Sequence, residues 1–400
     1  MTAENYRYEE LTPERFAEIA AAYPDVSIPL EQTPQWADFE RDTGRAPFGI
    51  FAYFDDAAGA GTAAAGGSVA GAVVDGTAAP VVVASFLHST RRLRESMVVV
   101  NGPVWFGTRT AGAERRLLST LRAQFDSAAG VNPVFVRLQV EHPQRGVVKA
   151  LEPGWYDREI VVDLNQPEKT MLAGFRPNAR QSIRKATRAG VQIRTIAAAD
   201  RLAVFRRELF PIMTETAARD GFSSFDSGYY ETLLTSLADH TELMVADLDG
   251  QALCWLITTE YRGYAVYYFA ASSAQARTVY APYLLLWESF RMLKAHGNTA
   301  CGLTGIVSDT YPSLANVTTF KRNFSKDVVV LPTTYDVPMK QLHYGALGAA
   351  LKLRREGLPA GRRGLGRVRA RAKALLRRWP AEAGSTGSFA SNADSGARHD

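Results

Sequence analysis

A short basic helix that leads directly into a strand is the feature that most limits how this chain can fold. The stretch reads NARQSIRKATRAGVQI, residues 178–193. Pro177 cannot continue a helix backwards, Asn178 is a favourable N-cap, and Gly190 is a common helix stop. The sequence therefore predicts about three helical turns, and the strand VQIRTI follows at once.

This helix has an apolar face and a cationic face, because residues three or four apart lie side by side on a helix. The apolar face comprises Ala179, Ile183 and Ala186. The cationic face comprises Arg180, Arg184, Lys185 and Arg188. No acidic residue interrupts residues 176–194. We expect one face to pack and the other to contact an anionic partner; an ordinary solvated helix is the alternative.

Length and composition indicate a globular chain of more than one domain. Four hundred residues exceed one core of ordinary size, and 46% hydrophobic with 22% charged residues is typical of globular proteins. Cys254 and Cys301 are the only cysteines, and the six histidines have no ligand spacing, so neither a disulfide framework nor a metal site is predicted. The N-terminus does not resemble a signal peptide, and no apolar run is long enough to span a membrane.

Strand and helix patterns occur in the same order in two halves, which predicts an α/β fold with two mostly antiparallel sheets. The expected boundaries are 1–160 for the first domain, 161–325 for the second, 326–350 for a segment returning to the first, and 351–400 for a basic and disordered tail. Residues 55–80 are almost entirely small residues and are interpreted as a flexible hairpin insertion.

Several short motifs, taken together, resemble the Fem family of bacterial aminoacyltransferases, which build the interpeptide bridge of peptidoglycan. The motifs are SIRKATRAGV (182–191), TAARDGF (216–222), GYYETLL (228–234), YLLLWESFRMLKAHG (283–297), FKRNF (320–324) and, in the first half, LEQTPQWADF (30–39). The resemblance implies two tandem acetyltransferase-like (GNAT) domains, with a final segment that returns to the first. The long helical hairpin that many members carry after the signature helix is absent here.

The position at which an acetyltransferase would hold coenzyme A argues against that cofactor. Backbone N–H groups of a glycine-rich turn normally bind the pyrophosphate, whereas this chain has Tyr280 at the glycine position and Pro282, which has no N–H. We therefore expect no cofactor. The resemblance implies that the acyl group comes from aminoacyl-tRNA instead.

Aminoacyl transfer from an activated ester requires positioning, a neutral amine, and a cation near the oxyanion of the tetrahedral intermediate. Lys321 matches the lysine of the family's F-K-x-x-F motif and is our candidate for that cation, with Phe320 beside it in the substrate site. A surface lysine is the alternative interpretation. The cationic face of the 178–193 helix is predicted to contact tRNA phosphates.

Further residues are implied to bind the acceptor, a UDP-linked or lipid-linked muramyl peptide. Arginine can bind phosphate bidentately, and tyrosine can donate to phosphate or carboxylate. The candidates are Arg219, Tyr230, Tyr268, Trp36 and Arg41. A core aromatic role is the alternative for both tyrosines. Arg41 stands near the place where the family often has a lysine that reaches the nucleotide phosphates.

The chain departs from the family in the strand after the long helix. The family commonly reads Y-D-x-x-G-I, whereas this chain reads CGLTGI from Cys301 to Ile306, with Gly302 in place of the acid. We therefore expect no carboxylate general base at this point. We expect solvent, a substrate hydroxyl or a neighbouring group to remove the proton from the attacking amine.

The C-terminal segment is strongly basic. Residues 340–378 hold twelve Lys and Arg against Glu356, whereas residues 1–339 hold 33 basic and 37 acidic residues. Residues 340–379 mix arginines with Leu, Val and Trp, which favours peripheral contact with the inner membrane leaflet; RNA contact and a solvated tail are alternatives. The oligomeric state stays open.

The sequence thus predicts a cytoplasmic aminoacyltransferase, with peripheral contact at the membrane face as one alternative for its location. Two rival functions remain. One is a coenzyme A-dependent N-acyltransferase of the same superfold, and the other is a non-catalytic RNA- or membrane-binding module.

Overall fold

The structure is a computed structural model that describes residues 5–55, 73–74, 77–91, 94–152, 154 and 156–356. The first half contains β1 (Arg7–Glu10), α1 (Pro13–Ala22), a 3-10 turn (Leu30–Gln32), α2 (Pro34–Asp42), β2 (Ala46–Phe54), β3 (Val73–Val74), β4 (Thr77–Ala78), β5 (Pro80–Arg91), β6 (Arg94–Val98), β7 (Val104–Trp105), α3 (Ala111–Ser127), β8 (Phe135–Gln139) and β9 (Val148–Lys149).

The second half alternates helices with longer strands. It contains β10 (Arg158–Asp163), α4 (Glu168–Gly174), α5 (Pro177–Arg188), β11 (Gln192–Thr195), α6 (Arg201–Val204), a π turn (Phe205–Leu209), α7 (Phe210–Asp220), α8 (Ser227–Ser236), β12 (Thr241–Leu248), β13 (Gln251–Tyr261), β14 (Tyr264–Ser272), α9 (Ala274–Thr278), α10 (Ala281–Ala295), β15 (Ala300–Gly305), α11 (Ala315–Lys321), β16 (Val328–Val330), β17 (Thr334–Pro338) and α12 (Gln341–Glu356).

The first sheet has the strand order β1-β2-β5-β6-β8-β17-β9, with β7 paired to β5. Neighbours are antiparallel except β6 and β8. Leu117, Leu121 and Phe125 of α3 pack on one face. Phe16 and Ile19 of α1 pack on the other. Both helices have amphipathic spacing, so each buries one apolar stripe against the sheet.

The second sheet has the order β11-β12-β13-β14-β15-β10-β16. Its one parallel pair is β14 with β15, in which Tyr264 to Val266 pair with Ala300 to Gly302. Beyond these three residue pairs, β14 continues to Ser272 and β15 to Gly305 without further pairing to each other. The two strands therefore diverge, and they leave a gap in the middle of the sheet.

Helices cover both faces of the second sheet. Helices α5 and α10 lie on one face, where Ala179, Ile183 and Ala186 are buried as the sequence predicted. The π turn, α7 and α8 lie on the other face. Helix α5 leads through the turn at Gly190 directly into β11, so the fold has no helical hairpin between them.

The two halves meet through α2, which packs on α8 and β14 of the second half. Phe39 contacts Tyr229 with ring centroids 5.4 Å apart, and Trp36 contacts Tyr268 at 5.9 Å. The Arg262 guanidinium also donates hydrogen bonds to carbonyl oxygens of α1 and of the residue after it. The first and second halves therefore share one apolar cluster.

The chain returns to the first sheet later than we expected. The valine run Val328–Val330 forms the edge of the second sheet against β10, because its backbone groups find a partner there. Only β17 enters the first sheet, between β8 and β9. Helix α12 then packs Tyr344 and Leu347 near Phe135. The return therefore starts after residue 330 rather than at 326.

Parts of two further predictions lie outside the described residues. These are most of the insertion expected at 55–80 and the tail from residue 357 onwards. Within the part of the chain that the structure describes, none of the helices is both long and apolar enough to cross a membrane.

A buried ion pair fixes the returning strand in place. Asp336 of β17 is fully buried and accepts two hydrogen bonds from the Arg137 guanidinium, at 2.7 and 3.0 Å. The Tyr344 hydroxyl and the Leu151 N–H donate to the same carboxylate at 2.9 and 3.1 Å. Its lone pairs are therefore satisfied from three separate segments.

Removal of this carboxylate should be costly. We expect Asp336→Asn to lower the free energy of unfolding by about 3–5 kcal/mol, because Arg137 would remain buried without a counter-charge. Asp38→Asn is the matched control, since the Asp38–Arg41 pair is exposed and should contribute less than about 1 kcal/mol. Urea unfolding of both variants would measure the difference; equal losses would contradict this role of Asp336.

Candidate active site

A pocket of about 1820 Å³ lies where β14 and β15 diverge. Its wall is formed by both halves of the chain. Pockets for single small ligands usually have about 300–1,000 Å³, so this one has room for the reacting parts of two substrates. The charged side chains on its wall that concern the chemistry are Glu31, Glu159, Arg219, Asp220, Arg277 and Lys321.

Lys321, the last residue of α11, is buried beside the end of β15. Its Nζ donates to the Thr304 hydroxyl at 3.0 Å and to the Gly305 carbonyl at 2.7 Å. Burial lowers the pKa of Lys321 to about 7, against the opposing attraction of Glu159. An ammonium has three donors, so the charged form keeps one for a ligand.

Glu159 of β10 lies in the same pocket and is buried. The Tyr264 hydroxyl donates to its Oε1 at 3.0 Å. Its Oε2 lies 3.0 Å from the point where a Cβ on residue 302 would stand, and the Tyr264 hydroxyl lies 2.6 Å from that point. Only glycine at 302 leaves room for this pair. Burial raises the pKa of Glu159.

Position 302 of β15 itself carries no carboxylate, and Glu159 of the neighbouring strand β10 lies beside it instead. The pairing of β10 with β15 shifts register between Glu159 and Val161, and this irregularity lets Glu159 reach the space over Gly302 from the neighbouring strand. The acid that is missing at Gly302 of β15 thus has a counterpart in Glu159 of β10. A motif that covers one strand cannot show this, because the two residues are far apart in sequence.

Glu31 brings a second carboxylate from the first half of the chain. It lies in the 3-10 turn before α2 and lines the pocket. Burial raises the pKa of Glu31 to about 7, and the charge of Glu159 contributes in the same direction. Two carboxylates from different domains thus influence one another across the pocket.

Two arginines on the pocket wall share one acidic partner. The Arg219 guanidinium donates to both oxygens of Asp220 at 3.0 and 3.1 Å and to the Ser272 carbonyl at 2.6 Å. Arg277 lies 3.4 Å from the same carboxylate. Two guanidinium groups in one place suit a phosphate, which they can bind with paired hydrogen bonds.

The predicted tyrosines both line the pocket but differ in their polar contacts. Tyr230 packs among Phe205, Trp255 and Phe269, which matches the core alternative. Tyr268 also packs on aromatic rings, yet its buried hydroxyl has no hydrogen-bond partner. A buried hydroxyl without a partner is costly, so a bound ligand would satisfy it. Phe320 lines the pocket and packs on Tyr283 at 5.0 Å.

The basic helix α5 reaches the pocket through one of its cations. The Lys185 ammonium lies 4.8 Å from the centre of the Tyr280 ring, and Tyr280 lines the pocket. Arg184 and Arg188 are exposed. Arg180 instead donates to the carbonyl oxygens of Ala173 and Phe175, so it also stabilises the end of α4.

Comparison of the sequence with family models shows to which family the chain belongs. A profile described as the FemAB family matches residues 142–262 and 255–352. The two matches together span more than half of the 400 residues. The chain belongs to the FemAB family.

Known relatives of this FemAB protein match in part of the sequence and in the fold. The UDP-N-acetylmuramoylpentapeptide-lysine N(6)-alanyltransferase of Weissella viridescens is 28% identical over 171 residues, which are 42% of this chain and 49% of the relative. The match therefore spans about half the length of that enzyme.

A crystal structure of FemX superposes with a TM-score of 0.65 at 14% identity, covering 86% of this chain and all of the other. A tandem GNAT protein from the clavulanic acid biosynthesis pathway reaches a TM-score of 0.45 at 11% identity, covering 84% and 99%. The likeness to FemX is one of fold. The predicted fold class, α/β with two tandem acetyltransferase-like domains, is confirmed.

The structure separates the predicted site residues of this FemAB protein into two groups. Those on the pocket wall are Arg219, Tyr230, Tyr268, Phe320 and Lys321. Trp36 and Arg41 are not on it: Trp36 is buried and donates to Glu40, while Arg41 is exposed and pairs with Asp38. Both lie on α2, whose apolar face packs between the domains and whose polar face points to solvent.

Sequence reasoning missed Glu31, Glu159 and Tyr264. A signal existed for Glu159, since REIVVD places a carboxylate within an apolar strand. Glu31 lies within the LEQTPQWADF motif, but the site candidates chosen from this motif and the residues after it were Trp36 and Arg41. Tyr264 begins its strand and gave no signal.

The lowered pKa of Lys321 has a measurable consequence for stability. Between about pH 7.5 and pH 9.5 the unfolded lysine holds its proton while the folded one does not, so stability should rise with pH. The contribution is about 2–3 kcal/mol over this window. We expect Lys321→Met to be the more stable protein near neutral pH and to lack this rise.

Urea unfolding at several pH values would measure the effect as the difference between the two proteins. The exposed Lys326→Met is the control and should keep the wild-type profile. A difference between wild type and Lys321→Met that stays constant with pH would contradict the shift.

Proposed function

We propose that this protein transfers an amino acid from aminoacyl-tRNA to an amine of the stem or bridge peptide of a peptidoglycan precursor. The observation that carries the proposal is the buried Lys321 in a pocket that also contains Arg219 and Arg277, in a chain of the FemAB family. The relative's name describes addition of alanine to the lysine of a UDP-linked muramoyl pentapeptide, and this supports the acceptor class.

Lys321 is the group proposed to stabilise the reaction's negative charge. The amine attacks the ester carbonyl, and the developing oxyanion attracts the third donor of the ammonium, while Thr304 and Gly305 hold the other two. A buried charge that two hydrogen bonds hold in place needs little reorganisation during the reaction. The approach of an anion also favours the protonated form of a lysine whose pKa is about 7.

Arg219 and Arg277 are proposed to bind the phosphates of the acceptor. Both guanidinium groups lie on Asp220, and a diphosphate offers a stronger partner than one carboxylate. A UDP-linked and a lipid-linked muramyl peptide share this diphosphate chemistry, so the two acceptors are both included in the test. Tyr268 supplies a free hydroxyl for the same ligand.

The donor is proposed to be aminoacyl-tRNA, held by the exposed cations of α5. Lys185 contacts Tyr280 on the pocket wall, which connects the basic face to the reacting ester. At the turn before α10, Tyr280 has φ of 60° and Pro282 offers no N–H. These features argue against a pyrophosphate cradle for coenzyme A. We place the reaction in the cytoplasm, where charged tRNA is available.

The decisive experiment is a transfer assay with charged tRNA carrying labelled amino acids and with UDP-linked or lipid-linked muramyl pentapeptide. We expect the acceptor mass to rise by one aminoacyl residue. Lys321→Ala should lower the rate by about 10²- to 10³-fold, because one preorganised donor to the oxyanion is lost. Lys326→Ala is the matched control and should transfer normally. No transfer by the wild type with either acceptor would overturn the proposal.

Binding of tRNA should depend on salt through the exposed arginines of α5. We expect the double substitution Arg184→Gln and Arg188→Gln to lower the slope of log affinity against log salt by about 1.5, since each phosphate contact contributes about 0.7–0.9. Filter binding at several salt concentrations measures the slope. Arg206→Gln with Arg207→Gln removes equal charge from the opposite face of the sheet and should leave it unchanged; equal effects would contradict the assigned face.

A further inference from the structure

Among the described residues, Glu159 and the half-buried Glu31 lie on the pocket wall without an ion pair, and Glu159 is the more deeply buried of the two. Five Asp and Glu residues are almost fully buried in the described part of the chain: Glu40, Glu114, Glu159, Asp247 and Asp336. Four of them pair with an arginine at 2.5 to 2.7 Å. Within the described ranges Glu159 forms no ion pair within 4 Å, and its one side-chain partner is the Tyr264 hydroxyl.

We propose that Glu159 receives the acceptor's amine as an ammonium ion and takes the proton that the amine must lose before it attacks. Buried charges in proteins are normally paired, so an unpaired carboxylate on a pocket wall suits a cation from the ligand. This inference rests on the proposed aminoacyl transfer and adds the identity of the proton acceptor.

The surroundings of Glu159 suit this task. The titratable groups that face it are Tyr264 and Cys301 from β14 and β15, Tyr156 before β10, Glu31 from the first domain, and Lys321 from α11. Burial raises the pKa of Glu159, so the difference between the pKa of this carboxyl group and that of an amine becomes smaller. The nearby Glu31 adds negative charge that attracts an ammonium.

Proton transfer and acyl transfer then balance as follows. The ammonium gives one proton to the Glu159 carboxylate, and the neutral amine nitrogen forms a bond to the ester carbonyl carbon. The bond from that carbon to the tRNA ribose oxygen breaks, and the ribose oxygen takes the second proton from nitrogen. Glu159 returns its proton to water. An amide, a free tRNA hydroxyl and one proton result.

Glu159→Gln tests the role, because an amide keeps the shape and the Tyr264 contact but cannot accept this proton. We expect a loss of about 10²-fold in transfer to a lysine-containing UDP-muramyl pentapeptide at neutral pH. The loss should shrink at higher pH. It should also shrink when the acceptor lysine is replaced by its less basic thioether analogue, S-aminoethylcysteine, because more of that amine is neutral without help.

Controls separate this role from a structural one. Glu114→Gln alters a buried carboxylate that pairs with Arg109 in the first domain; it should lower thermal stability without changing the dependence on amine basicity. A Glu159→Gln protein that is folded and transfers at the wild-type rate, or loses the same factor with both amines, overturns the proton-acceptor role and leaves aminoacyl transfer standing. No transfer by the wild type overturns both.

A relocated carboxylate provides a second test if Glu159→Gln does not fold. Glu159→Ala removes the carboxylate atoms 3.0 and 3.3 Å from the Cβ point of residue 302, and Tyr264→Phe removes the hydroxyl at 2.6 Å, so Gly302→Asp in the Glu159→Ala, Tyr264→Phe background returns an acid to the site from β15. We expect at least about a tenfold gain over the Glu159→Ala, Tyr264→Phe protein, and no gain would overturn the proposal. Gly302→Asp in the presence of Glu159 should lose activity, because its Cβ would lie 2.6 Å from the Tyr264 hydroxyl.

Discussion

The site depends on the short parallel pairing of β14 with β15. The strands share three residue pairs and then diverge, so the sheet that carries the second domain also opens a pocket in its own middle. On its other side β14 pairs with antiparallel β13, and β15 pairs with antiparallel β10, so each strand is held in place. The pocket is therefore bounded by continuous strands rather than by loops alone, and side chains on such strands are held in fixed positions.

The buried charged side chains of this protein fall into two groups, those that stabilise the fold and those that surround the pocket. Where a carboxylate serves the fold, as Asp336 and Glu114 do, an arginine neutralises it at hydrogen-bonding distance. Around the pocket, Glu159 and Lys321 lie near each other without a direct ion pair, and burial moves the pKa of each toward neutrality. Two buried charged groups without a direct ion pair stabilise the fold less than a directly paired carboxylate and ammonium would. This cost in stability is typical of sites that bind charged ligands.

Sequence reasoning reached much of the fold because its signals are local. The stop at Gly190 and the apolar stripe of α5 depend only on neighbouring residues, and α5 ends and packs as predicted. Its start was wrong by two residues, because Pro177 occupies the first helical position and Arg176, not Asn178, is the N-cap. We expected the segment that returns to the first sheet to begin at residue 326, but it begins after residue 330. The sequence does not state which sheet the valines at 328–330 join, and in the structure they pair with β10 at the edge of the second sheet.

The site was only partly predictable for the same reason. Lys321 and Arg219 stand in motifs and were found, and their roles remain predictions. Glu159 reaches the pocket only because of an irregular register between β10 and β15, which depends on pairing across about 140 residues of chain. Arg41 was proposed from its proximity in sequence to a family position, whereas helical geometry turns its side chain toward solvent.

The order of strands in the first sheet has a consequence for synthesis on the ribosome. Strand β17, at residues 334–338, lies between β8 and β9, so the amino-terminal domain stays incomplete until almost all of the described chain has emerged. Until then Arg137 lacks the carboxylate that neutralises it. Vectorial folding from the N-terminus is usual for multidomain chains, whereas here both sheets are completed only after residues 328–338 have been synthesised.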